Sequence, residues 1–143
     1  MSRRALALAV PGLLALRAVV AAPPVLSPAQ SAYLESCGGC HGIQGSSARE
    51  EIPELSGRVG AFMRTPAGRA YLVQLPDVAF ANLSDQTLAE VMNFVVFGLG
   101  GASAPRSAAP YTAGEVRDLR RNPLKSRDIG RVRADVLARA AAQ

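Results

Sequence analysis

The sequence predicts an all-α fold, with a small helical domain followed by a C-terminal helical extension. Three observations carry that expectation. Leu88, Val91, Met92, Val95 and Leu99 recur at helical spacing and form one apolar stripe. Helix-start chemistry stands ahead of the apolar stretches at Ser27-Pro28, Thr65-Pro66, Ser84-Asp85 and Thr112-Ala113-Gly114-Glu115. No segment shows the apolar–polar alternation of a strand, and no internal repeat is visible.

Taken in order, Ser27 caps a first helix that runs to about Cys37, with Tyr33 and Leu34 on its apolar side. Glycines at 42 and 45 end the following turn, and residues 44–51 read as a polar loop. Ile52-Pro53-Glu54-Leu55 reads as extended. A short helix is expected over residues 59–64. Another starts at Thr65-Pro66, turns Tyr71, Leu72 and Leu75 inward, and stops at Pro76. Residues 77–83 read as irregular. Ser84 then caps the longest clear helix, expected over 85–97, with Asp85 at its positive end and Gly98, Gly100 and Gly101 closing it. Residues 102–110 are small and proline-containing, as in a linker. A capped helix with Val116 and Leu119 inward follows and breaks at Asn122-Pro123. A last amphipathic helix carries Ile129, Val132, Val136, Leu137 and Ala140.

The chemistry is concentrated in Cys37-Gly38-Gly39-Cys40-His41, which holds both cysteines and the single histidine of the sequence. Two cysteines three apart with histidine directly after the second is the attachment pattern of a c-type haem. Each thiol adds across one vinyl group, one helical turn separates the two sulfurs, and the next imidazole stands under the iron as proximal ligand. Cys37 and Cys40 are the expected thioether positions and His41 the expected iron ligand. Three rivals exist. A thioredoxin-like couple belongs at a helix start after a strand, and the run before Cys37 reads as helix. A zinc site needs four ligands, and the motif offers three. A disulfide between Cys37 and Cys40 would close too small a loop to stabilise much.

The first 21 residues look like an export signal: Arg3 and Arg4, an apolar stretch over 5–16, then small residues with cleavage expected after Ala21. Arg17 interrupts the stretch, which argues against a membrane span. The alternative is an uncleaved amphipathic anchor. Covalent haem attachment occurs outside the cytoplasm, so leader and motif agree on a periplasmic protein whose mature chain has no transmembrane span. The expected organisation is a signal peptide (1–21), a haem domain (22–100), a linker (101–111) and a basic helical tail (112–143). Of the net charge of +5, the leader is wholly basic, residues 22–100 are acidic on balance, and residues 101–143 are basic. A basic segment can point to nucleic acid or anionic lipid. This one lacks interleaved aromatics, so no nucleic-acid partner is expected. With one Lys against fifteen Arg, genome composition explains the excess better than a binding role.

The order helix, CxxCH, loops, helix, loop, final helix resembles the mono-haem class I cytochrome c family over residues 27–99. The run from Tyr33 to Gly42 looks like its first helix and haem motif, and Leu83-Ser84-Asp85 through Phe94 looks like its last helix. The resemblance implies a cytochrome c-like helical domain wrapped around one covalent haem c, with its first and last helices crossing near Tyr33 and Phe94. It also implies a distal methionine in the loop before the last helix. Here residues 77–83 hold no Met, and Val78 stands at that position. Met63 is the remaining candidate for the distal iron ligand, if its stretch folds over the distal face. Met92 lies on the core stripe, and Asn82 is a weak polar alternative.

The resemblance implies a periplasmic electron carrier between a dehydrogenase and a downstream cytochrome or oxidase, docking by small charge-steered contacts. It is not expected to be an enzyme: Val78, Phe80 and Leu83 make an apolar distal wall without the acid–base groups of a peroxidase. The alternative is a haem-based sensor or ligand-binding protein with an open iron position. A third reading makes the basic tail a docking arm within a larger redox complex. Against it, the Ile129, Val132 and Val136 face is suited to packing back on the haem domain.

Overall fold

The computed structural model describes residues 25–142. The leader expected at residues 1–21 lies outside the described residues. All regular structure among the described residues is helical. The α-helices are α1 (Pro28–Ser36), α2 (Gly38–His41), α3 (Pro66–Gln74), α4 (Pro76–Ala79), α5 (Asp85–Asn93), α6 (Ala113–Arg120) and α7 (Ile129–Ala141). A 3₁₀ helix precedes α3 at Val59–Arg64, a π-helix continues α5 at Phe94–Leu99, and a second 3₁₀ turn follows at Gly101–Ser103. None of the described helices is long and apolar enough to cross a membrane.

Local chemistry sets these boundaries. Ser27 Oγ accepts from the Gln30 amide at 3.2 Å while the Gln30 side chain accepts from the Ser27 amide at 2.8 Å, a reciprocal cap that starts α1. Thr65 caps α3 and Ser84 caps α5 through the side-chain oxygen alone. Two expectations change. Residues 76–79 form the single turn α4 rather than an irregular stretch, because Pro76 both stops α3 and opens the next turn, with Asp77 at its positive end. The last core helix is α-helical only to Asn93. Its final turn widens into a π-helix, closed by Gly100 N–H donating to Val95 O at 2.9 Å. The widened turn buries both Val95 and Val96, and the Phe94 ring lies over Gly98, where a Cβ would stand only 2.9 Å from it.

The core sits where α1, α3, α5 and the two segments flanking α3 and α5 meet. Tyr33, Val73, Val91, Val96 and Val116 are its most completely buried side chains. Tyr33 meets Phe94 edge-on, with centroids 5.4 Å apart, where α1 crosses α5 and its π-helical end. Phe62 stacks on Tyr71 at 5.2 Å.

The basic tail shares this core. α6 packs on α3 and α5, and α7 packs on α3 and the first 3₁₀ helix. Val116, Tyr111, Val136 and Ala140 are all buried. Polar contacts fix the same join. Asn93 on α5 takes both backbone groups of Tyr111, accepting from its N–H at 2.7 Å and donating to its O at 3.0 Å. Arg69 on α3 donates to the Glu115 carboxylate at 2.7 Å and to Pro110 O at 2.9 Å, and its guanidinium lies 4.2 Å from the Tyr111 ring centre. The Tyr111 hydroxyl donates back to Arg69 O at 2.7 Å. The capping box expected at Thr112 is therefore half made. Thr112 Oγ1 accepts from the Glu115 amide, but the Glu115 carboxylate is taken up by Arg69.

Truncating Val116 to Ala should cost about 2 kcal/mol in chemical denaturation, since it empties a fully buried site; a tail that served only as a docking arm would leave stability unchanged. Burial pushes the Tyr111 phenol well above its ordinary value, against the opposing pull of Arg69. A phenol whose folded pKa is raised contributes stability that is complete below about pH 10 and is lost as pH rises beyond it. Tyr111→Phe should therefore lower stability by about 1 kcal/mol at neutral pH and flatten its alkaline decline, measured by urea unfolding between neutral pH and the phenol range.

Candidate functional site

The pentapeptide hangs from the end of α1. Cys37, at φ −129° and ψ −30°, ends α1 and begins the single turn α2. Its carbonyl accepts from the Cys40 amide at 3.2 Å and the His41 amide at 3.0 Å, so the two thiols and the imidazole are fixed within one turn. Cys37 is half-buried, Cys40 is exposed, and both are free thiols. Burial, then the neighbouring Cys40, raises the Cys37 thiol above its ordinary value. Burial, then Cys37, pushes the Tyr33 phenol up to about 12.

Two tethers orient this turn. The Tyr33 hydroxyl donates to Gly42 O at 2.8 Å, joining the buried face of α1 to the end of α2. Gly42 itself has φ +73°, and a Cβ there would lie 2.4 Å from Ser46 O, so the position accepts only glycine. The second tether is on the imidazole. His41 Nδ1 lies 3.2 Å from Pro53 O. A carbonyl only accepts, so Nδ1 carries the proton and the lone pair is on Nε2, at the far side of the ring. Pro53 is held in place by a closed loop. Gly45 O accepts from the Leu55 amide at 2.9 Å and the Ser56 amide at 3.2 Å, and Ser46 Oγ donates to Glu54 at 2.7 Å.

This arrangement suits a porphyrin iron better than the rivals. Among the described residues no three His, Cys, Asp or Glu side chains converge to hold a bare metal ion, so the motif is not gathered as a zinc site. Among the described residues no strand precedes the motif to build a thioredoxin-like unit. One imidazole with its tautomer fixed and Nε2 free, beside two free thiols one turn apart, is the donor set that covalent haem takes.

The stretch expected on the distal side is α4 and the loop to Ser84. Val78 and Leu83 are half-buried, Phe80 is 73% exposed and Asn82 is exposed. Met63 is buried in the first 3₁₀ helix, its Sδ 4.0 Å from Arg69 Nη1, in a groove shared with Ala104, Ala108 and Pro110. Met92 is buried in α5. Two residues of this region escaped the sequence reading. Pro53 gives its backbone oxygen, which leaves no side-chain signal. Arg120 on α6 donates to Ala79 O at 2.9 Å, Ala81 O at 2.6 Å, Leu83 O at 2.9 Å and Asp85 at 3.2 Å. In the sequence it is one arginine of many in a basic tail.

No family model matches the chain. Two curated proteins do, both named cytochrome c-552 and both from Thermus thermophilus. Each is 27% identical over 111 residues, an alignment that covers 65% of this chain and 85% and 75% of the two relatives. The likeness supports a cytochrome c relationship.

In polypeptide made without haem attachment, Cys40 should be alkylated several-fold faster than Cys37 at neutral pH, because Cys40 is exposed while Cys37 is half-buried with its thiol raised. Peptide mass spectrometry after brief iodoacetamide treatment reads the two rates.

Proposed function

We propose that this chain is an exported mono-haem c-type cytochrome that carries single electrons between redox partner proteins, taking them from a periplasmic dehydrogenase and passing them to a further cytochrome or oxidase. The observation that carries this reading is the His41–Pro53 contact beside the two free cysteines. It directs Nε2 away from the Pro53 carbonyl, as an iron ligand requires. The cytochrome c-552 likeness supports the same reading.

Cys37 and Cys40 would hold the haem by thioethers and His41 would ligate its iron, the group supplying a one-electron couple when bound. The chain's own part is positional. Pro53 O fixes the imidazole tautomer and the orientation of the ring. Tyr33 holds the end of α2 against the core through Gly42. Cys40 is exposed, so a haem held there would be accessible to a redox partner on that side. In the stretch that the resemblance puts on the distal side, Val78 and Leu83 are half-buried and apolar while Phe80 faces solvent, and no acid–base group is positioned there, which suits electron transfer over peroxidase chemistry. The tail spends its apolar face on the core of the same domain.

Met63 remains the candidate distal ligand. One observation favours the second reading, a haem-based ligand-binding or sensor protein with an open position. Both Met63 and Met92 are packed in the core, Met63 with its sulfur beside Arg69, and the loop before α5 has no methionine.

Protein recovered from the periplasm should have the mass of the processed chain plus one haem, no free thiol and a c-type absorption spectrum; His41→Ala should lose the low-spin features. Bare polypeptide mass with two free thiols would refute the assignment. A ferric methionine-to-iron charge-transfer band that disappears in Met63→Leu would establish Met63 as ligand, whereas a high-spin spectrum that shifts with carbon monoxide would favour the open position.

A further inference from the structure

The contacts of Arg120 reach beyond ordinary tail packing. Its side chain is 18% exposed, and all three guanidinium nitrogens donate. Three of the four acceptors are backbone carbonyls at alternate positions, Ala79, Ala81 and Leu83, and the fourth is the Asp85 carboxylate at the start of α5. These residues span the connection from α4 to α5. That connection makes few other bonds of its own: Phe80 N–H reaches Pro76 O at 2.9 Å, Ala81 N–H reaches Val78 O at 3.2 Å, and Leu83 N–H reaches Ala81 O at 2.8 Å. A planar fork suits this task. It offers several donors in fixed directions, whereas an ammonium offers its donors from a single point. Asp85 balances the charge that Arg120 brings into a half-buried site.

We propose that Arg120 is a positioning residue for the distal wall of the haem pocket: from the C-terminal extension it fixes the course of residues 79–85 by holding the carbonyls of Ala79, Ala81 and Leu83, so that the side chains of this loop keep one arrangement. The placement of this wall over the iron rests on the function proposed above; the clamp itself does not. The inference makes the tail a working part of the site. It also separates Arg120 from Arg69, whose partners Glu115, Ala109 and Pro110 tie the tail to α3 without touching the loop.

The test compares Arg120→Gln and Arg120→Lys with Glu115→Gln in the full, exported protein. Two readouts are used. One is cleavage by chymotrypsin after Phe80, which is 73% exposed yet lies on the clamped loop. The other is the association rate of carbon monoxide with the reduced protein, together with the ferric spin state. Arg120→Gln should be cut after Phe80 at least tenfold faster than wild type. It should also alter the carbon monoxide rate at least threefold and shift the ferric spectrum. Arg120→Lys should change both in the same direction and less. Glu115→Gln should lower the unfolding midpoint while leaving both readouts within twofold of wild type. If Arg120→Gln does not fold, Arg120→Lys decides by the same criteria. Unchanged cleavage and binding in the Arg120 variants, or equal changes in Glu115→Gln, would overturn the inference. A wild-type protein without haem would instead overturn the assignment of the site, and the cleavage comparison would still decide the clamp.

Discussion

The position of the pentapeptide depends on the crossing of α1 over α5, and that crossing depends on Tyr33 against Phe94. Tyr33 is fully buried and its hydroxyl reaches forward to Gly42. One side chain thus packs the first helix into the core and fixes the far end of the turn that bears Cys37, Cys40 and His41. The π-helical widening at Phe94–Leu99 belongs to the same arrangement, since it starts at the residue that meets Tyr33. π-turns of this kind recur at functional sites because they redirect side chains without ending the helix.

The tail is held to the rest of the molecule in two ways. Apolar burial of Val116, Tyr111, Val136 and Ala140 gives the non-directional part. Arg69, Asn93 and Arg120 give direction, each satisfying backbone groups of a segment far away in sequence. With a short, aromatic-poor sequence to work with, the protein uses arginine as a bridge between loop backbones that lack partners of their own. The excess of arginine that looked compositional in the sequence is thus in part structural. Arg117 and Arg121 remain on the surface, paired only with the exposed Asp118.

Much of this was legible in advance where the signal is local. Ser27, Thr65, Ser84 and Thr112 all cap the helices they were expected to cap, and Leu88, Val91, Met92 and Val95 are all buried. The meeting of Tyr33 with Phe94 followed from a family resemblance rather than from spacing. What sequence did not show was set by backbone or by distance. Pro53 acts through a carbonyl that every residue possesses, and only the closed loop from Gly45 to Ser56 brings it to His41. Arg120 finds partners about forty residues upstream, beyond any helical periodicity. The α4 turn was hidden because a proline reads equally as a stop and as a start.

Arg69 and Asn93 receive partners, and residues 79–85 receive a clamp, from segments that lie C-terminal to all of them. A chain ended before residue 109 would keep both cysteines and the histidine on α2, yet lose the donors that hold residues 79–85 and the partners of Arg69 and Asn93.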